Sequence, residues 1–317
     1  MKSEHDLGDD APAILGVPTH PEPVSADGGR PTAPEPPARS QWQLVRRRFF
    51  RHRLAMVGGA VLIALCVVCF GAKTFAFYDK NHQDLLLGPT SPSKEHWMGT
   101  DQIGRDLLTE ILYAGRVSLK IGLAVALIST VIGTIIGSIA GYFGKLSDQL
   151  LMRTTDLFLV VPQLAILAIA LKYFGQSVNP IIFVLAGLGW TYIARVVRGQ
   201  VLSVKEKEFV EAARASGASS ARIIVRHILP NCIGPILVNA TLAIAAAIVT
   251  ESTLSFLGFG IIPPDTSWGN MLSSAEGNFN NNTHLLYYPG LMILVTVLCV
   301  NFLGDGLRDA FDPQSRH

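Results

Sequence analysis

Long apolar stretches recur along the chain, separated by short polar segments. The first covers residues 54–77 and is broken only by small residues and by Lys73 near its end. Five more follow at about 117–143, 157–174, 180–194, 233–249 and 289–303. About 20 apolar residues in helical form cross the hydrocarbon core of a bilayer. The pattern therefore predicts an all-α integral membrane protein with six transmembrane helices. An even number of crossings puts both termini on one side.

Residues 1–40 stand outside this pattern. Pro31-Thr32-Ala33-Pro34-Glu35-Pro36-Pro37 cannot propagate a helix and has little apolar surface to bury. The expectation is a disordered, Pro-rich cytoplasmic tail, followed at 41–115 by the first transmembrane helix and an extracytoplasmic loop. Residues 116–311 would then carry the other five helices.

Charge fixes the expected orientation. Arg46, Arg47, Arg48, Arg51 and Arg53 sit directly before the first apolar stretch, and basic residues flanking a first span hold that end in the cytoplasm. The loops on the same side carry Lys145, Arg153, Arg195, Arg198, Lys205, Lys207, Arg214, Arg222 and Arg226. The opposite side carries Lys80, Lys94, Arg105, Arg116 and Lys172, and residues 258–288 contain no lysine or arginine. The chain is expected in the cell (inner or plasma) membrane with both termini cytoplasmic.

Composition agrees with a bilayer environment. Of 317 residues, 49% are hydrophobic and 16% charged, where a soluble domain carries about 25% charged residues. A formal net charge of +2 gives no reason to expect a nucleic-acid partner. Cys66, Cys69, Cys232 and Cys299 lie in or beside apolar stretches, and the Cys66–Cys69 spacing lacks the second pair a zinc site needs. No metal site or catalytic residue is expected. There is no G-x-x-x-x-G-K-[ST] phosphate loop and no H-E-x-x-H, and Gly217-Ala-Ser-Ser-Ala lacks the closing glycine of a nucleophile elbow. Gly133, Gly137 and Gly141 recur every fourth residue inside the second apolar stretch, a small-residue face for helix packing in lipid.

The most informative segment lies between the fourth and fifth stretches. Residues 205–216 are good helix formers of mixed charge. Gly217 then suits a left-handed stop, and Ser219 or Ser220 can cap a second helix. The expected form is helix, glycine elbow, helix, with Glu211 as a local hydrogen-bond acceptor that fixes the elbow. Glu251, where the fifth stretch ends, is a candidate for the transport pathway or its gate. Alternatively it caps backbone amides or pairs with Arg105 or Arg116.

Glu211-Ala212-Ala213, three further residues, Gly217 and a helix closing on Leu229-Pro230 resemble the EAA loop of bacterial ABC importer permeases. His227 stands where that pattern has isoleucine, as in versions of the dipeptide/oligopeptide/nickel branch that read His-Ile-Leu-Pro-Asn. Three further stretches resemble the same branch. They are His96-Trp-Met-Gly99-Thr100-Asp101-Gln-Ile-Gly104-Arg105-Asp106, then Glu251-Ser-Thr-Leu-Ser255-Phe-Leu-Gly258, and Gly304-Asp305-Gly-Leu-Arg308-Asp309-Ala-Phe-Asp312-Pro313.

The resemblance implies a type I ABC importer permease fold with an ATPase-coupling loop at 204–230. The implied partners are a second homologous permease subunit, ABC ATPase subunits and an extracytoplasmic solute-binding protein. ATP and Mg would belong to the ATPase subunits, and this chain would hold no cofactor. Import of short peptides is implied, with nickel or another small solute of the branch as the alternative. A self-contained secondary transporter or channel is the rival class, and the chain lacks the internal repeat or mid-span charges usual there.

Overall fold

The computed structural model describes residues 41–80, 82–278 and 282–312, so the expected tail lies outside the described residues. The described chain is helical: α1 Gln41–Arg51, α2 Arg53–Phe70, α3 Leu107–Phe143, α4 Lys145–Val160, α5 Gln163–Phe174, α6 Val178–Lys205, α7 Glu208–Ala215, α8 Ser220–Phe256, α9 Trp268–Ala275 and α10 His284–Phe311. Five of these are long and apolar enough to cross a membrane, and α4 with α5 forms a sixth, bent passage.

The centre of the bundle is the contact between α3 and α6. A Cβ on Gly133 would meet Ile193, one on Gly137 would meet Val197 and the Ala194 carbonyl, and one on Gly141 would meet Val201. The pairs advance together along both helices, so α3 and α6 run parallel. Two parallel helices need a return passage between them, and α4 with α5 supplies it. Gly144, with φ +62°, ends α3 and starts α4 at one end of the bundle. Gln176, just past α5, meets the segment after α8 at the other end. Its side chain donates to the Gly258 carbonyl at 3.0 Å, and its own carbonyl accepts from Ile262 N at 3.2 Å. The chain thus travels the bundle's length six times.

Several sequence expectations are corrected. The stretch at 157–174 is not one helix: α4 and α5 meet at 87° across Val161-Pro162. Pro162 disfavours helical geometry at Val161 and has no N–H for a continuous ladder, and Val161 is extended at ψ 139°. The first span stops at Phe70, where Gly71 caps it. The fourth helix does not end at Ala194 but runs to Lys205, so Arg195 and Arg198 belong to α6 and not to a loop. Likewise α3 starts at Leu107, so the 115/116 boundary cuts a helix and Arg116 sits within it. At 37 residues, α3 is about 55 Å long and overreaches a ~30 Å hydrocarbon core.

The outer loop motif before α3 is built to fold. Thr100 donates to the Gly88 carbonyl at 2.6 Å and accepts from Thr90 N at 2.8 Å. Gly99 and Gly104 have positive φ and lie where a Cβ would strike the Thr90 and Asp84 carbonyls. Asp106 caps α3, accepting from Thr109 N at 2.9 Å. Helix α9, which the sequence reading missed, sits on this end of α3. Buried Trp268 donates from Nε1 to the Ile111 carbonyl at 3.0 Å and lies over Gly115. At the opposite end, His52 of the α2 cap meets Asp309 of α10 at 3.5 Å.

The glycine contact yields a first prediction. Gly137→Leu places a side chain against backbone atoms that cannot retreat. It should destabilise the chain by about 3 kcal/mol or more, read as loss of monodisperse protein after detergent extraction. Gly187→Leu on α6, with open space at its Cβ, should extract normally.

Candidate coupling surface

The segment after α6 forms a short helix on a fixed elbow. α7 ends in a complete Schellman arrangement: Gly217 N donates to the Arg214 carbonyl at 3.0 Å and Ala218 N to the Ala213 carbonyl at 3.1 Å. Gly217 has φ +76°, where a side chain is strained, and its Cβ position faces open space. The elbow is therefore backbone-made. Glu211 is exposed and its carboxylate accepts no hydrogen bond among the described residues, which corrects its expected role in holding the turn.

What anchors α7 is Val210. This fully buried side chain enters a cluster with Ile193, Val197 and Val201 of α6 and with Ile223, Ile228 and Cys232 of α8. Ala213 packs at the edge of the same cluster, whereas Ala212 and Glu211 face outward. Phe209 is 43% exposed beside them. Sequence reasoning missed both Val210 and Phe209. Their signal was available as an apolar pair set between Glu208 and Glu211, one side chain facing in and the other out.

The second arm of the elbow widens into a π-turn over Ile224–Ile228, and Leu229 N donates to the Ile224 carbonyl. Pro230 follows immediately. A proline ring collides with the carbonyl four residues back in a regular helix, and the wider turn relieves that collision. Leu229 is half-buried and Pro230 exposed. The 204–230 loop is thus the last residues of α6, all of α7, the elbow and about the first three turns of α8.

Two ion pairs brace α6 where it approaches this elbow. Arg198 grips Asp148 of α4 with two nitrogens, NH2 standing 2.6 Å from Oδ2. Arg195 pairs with Asp156 one level further along α4. Residues expected as free loop charges are therefore cross-links between helices.

Glu251 is placed inside the protein, 1% exposed, and not at an open mouth. Its Oε1 accepts from Ser255 Oγ at 2.7 Å, with Ser252 and Ser267 close by. It pairs with neither Arg105 nor Arg116. Arg105 instead faces Asp101 and Glu110.

A six-pass helical bundle carrying a small, rigidly seated helix at one end is the build of a membrane transport subunit with a docking element. The chain belongs to the family described as binding-protein-dependent transport system inner membrane components, whose pattern matches residues 133–317. Residues 40–89 match the N-terminal transmembrane domain of oligopeptide transport permease C. It is similar to the oligopeptide transport system permease protein OppC of Bacillus subtilis, with 37% identity over 93% of this chain and 97% of that protein. The Escherichia coli K12 counterpart of that name is 40% identical over 88% of this chain and 93% of its own length. Among solved structures, the inward-facing MetNI methionine ABC transporter shares the fold, with TM-score 0.54 and 16% identity. The match covers 65% of this chain and 98% of that one. The chain is a permease subunit of an ABC importer, and ATP is hydrolysed on a separate subunit.

The bracing pairs carry a prediction. Asp148→Asn should lower stability in detergent by about 1–3 kcal/mol, because a charge-assisted, two-pronged contact is lost. Asp156→Asn should cost clearly less, since both partners of that pair are close to half exposed. Unfolding temperatures of the two variants measure the difference.

Proposed function

We propose that this subunit imports short peptides and that α7 is the element through which the ATPase moves it. The observation that carries the reading is the rigid seat of α7. Buried Val210 and the Gly217 elbow tie the helix to α6 and α8, while Phe209, Glu211 and Ala212 remain presented outward. A push on that face is transmitted to two membrane helices at once. Glu211, Ala212, Ala213, Gly217, Leu229 and Pro230 are the coupling residues in this reading.

Peptide as cargo rests on the likeness to oligopeptide permeases and is supported by a cavity of about 290 Å³ between α3, the α4–α5 bend, α6 and α8. Its polar lining is neutral: Ser129, Gln163, Thr191, Asn239 and Thr250, set among leucine, alanine and aromatic side chains. Neutral donors and acceptors suit a peptide's N–H and C=O groups without selecting its side chains. In this reading the open side of the cavity is closed by a second, homologous permease subunit. A solute-binding protein delivers cargo at the end of the bundle opposite α7, and both termini are cytoplasmic. The gate role considered for Glu251 is replaced by a structural one, a buried link between α8 and the Ser267 cap of α9.

Gly217→Val tests the coupling role. It adds backbone strain of about 1 kcal/mol or more and a branched side chain on the presented surface. Membrane insertion should be normal, while ATPase co-purification and substrate-stimulated ATP turnover should fall at least severalfold. Glu211→Ala should be milder. Full ATPase retention with full transport in Gly217→Val would reduce the segment to a passive connector.

Orientation is tested with single cysteines in a cysteine-free background. Leu86 is 99% exposed in the loop before α3, and Ser216 is exposed at the elbow. An impermeant thiol reagent should label Leu86→Cys in intact cells and Ser216→Cys only after lysis. Labelling of both in intact cells would invert or break the topology.

A further inference from the structure

The end of the bundle away from α7 contains a small recess lined by a buried carboxylate with one unsatisfied oxygen. It measures about 170 Å³ and lies between the start of α3, the loop before it, α9 and the start of α10. That is well below the ~300 Å³ at which pockets hold a whole drug-sized ligand, so it admits an end group.

Two carboxylates and one guanidinium line it. Asp101 is satisfied: Oδ1 accepts from Ile103 N and Arg105 N, and Oδ2 lies 2.7 Å from both Nε and NH2 of Arg105. The remaining terminal nitrogen of Arg105 faces Glu110 Oε2 at 3.3 Å. All three guanidinium nitrogens are thus engaged, and one guanidinium is shared by two carboxylates. Glu110 Oε1 is the oxygen left without a donor. That atom is buried and has no hydrogen-bond partner among the described residues, on a side chain only 3% exposed. Lys80 adds positive charge to this region, but its ammonium is bonded to the Pro264 carbonyl at 3.0 Å and lies over the Tyr113 ring, and it makes no hydrogen bond to Glu110 among the described residues.

The neutral groups around Glu110 also offer acceptors. Asn270 uses its amide N–H on the Ile261 carbonyl at 2.9 Å, and Gln102 uses its own on the Ser274 carbonyl at 2.7 Å. The Gln102 amide oxygen accepts nothing among the described residues, and Asn270 Oδ1 has only a long contact from Thr266 Oγ1 at 3.5 Å. A buried carboxylate oxygen without a partner is costly. A group that fits is small and brings N–H donors, and a cationic donor makes the stronger, charge-assisted bond to the carboxylate.

We infer that the recess binds a primary ammonium, the N-terminal ammonium of the incoming peptide. The inference rests on the peptide-import reading above. Glu110 Oε1 and the two amide oxygens receive its three N–H groups. Leu107, Ala275 and Leu285 line the apolar remainder, beside the first side chain. The site lies on the end where cargo is delivered, so it would register the peptide's leading end before the peptide enters the neutral cavity.

The test uses the complete importer in vesicles. Trialanine and N-acetyl-trialanine are each loaded to equal occupancy on the solute-binding protein, and transport is measured per loaded protein. Wild type should move the free-amine peptide about tenfold faster, the size expected for one charge-assisted hydrogen-bonded contact. Glu110→Gln should remove that advantage by slowing the free-amine peptide and leaving the acetylated one unchanged. Ser274→Lys sets a tethered ammonium at the exposed rim of the recess and should abolish the advantage without touching Glu110. Equal slowing of both peptides by Glu110→Gln would make the residue structural and overturn the inference, as would full discrimination in Ser274→Lys. If Glu110→Gln instead weakens docking of the peptide-free binding protein, the ammonium belongs to a lysine of that protein and the peptide assignment falls. Wild type that hydrolyses ATP but moves neither peptide would defeat the peptide reading itself.

Discussion

Everything in this bundle depends on how closely α3 and α6 approach. In lipid there is no hydrophobic gain from pressing two apolar helices together, so contact must come from packing and polar links. Gly133, Gly137 and Gly141 remove the side chains that would hold the backbones apart, and Ile193, Val197 and Val201 fill the space. Because the contact is parallel, it dictates a return passage, and that passage is the bent α4–α5 pair. The bend leaves the neutral cavity beside Gln163, so the cavity follows from the glycine contact.

The same contact reaches the coupling surface. Ile193 and Val197, which pack on Gly133 and Gly137, also belong to the cluster that receives Val210. A displacement of α7 therefore acts on the α3–α6 core through one continuous set of buried side chains. Asp148 and Asp156 join α4 to that core by ion pairs, so the bent passage moves with it or breaks charge contacts. The π-turn ahead of Pro230 gives α8 a local irregularity where the elbow enters the membrane helix. A regular helix there would face a steric conflict with proline.

Much of this was legible in the sequence. Apolar length marked six passages, the four-residue glycine spacing marked the packing face, and Gly217 marked the elbow, each by a rule that needs only local sequence. What was not legible depended on contacts across the fold. Arg195 and Arg198 read as loop charges because their partners, Asp156 and Asp148, lie on another helix. The stretch at 157–174 read as one span because its apolar run hides the break that Pro162 imposes. Glu211 looked like a structural acceptor, yet the turn is closed by backbone atoms alone. Helix α9 has too few residues for a periodic signal, and its seat is one buried tryptophan.

The placement of charge separates structure from function at the outer end. The Gly-Thr-Asp stretch looks like a binding motif, but Thr100 and Asp106 are committed to loop closure and helix capping. Asp101 is committed to Arg105 and the local backbone. Glu251, the acid that stood out in the sequence, is enclosed within the protein, where Ser255 donates to its Oε1 and neither the outer recess nor the neutral cavity reaches it. Glu110 differs because it lines a recess open to solvent, and among the described residues its Oε1 has no partner. A fold that satisfies Asp101 and Asp106 so fully, yet leaves this neighbouring oxygen bare, has kept an acceptor for something that arrives from outside.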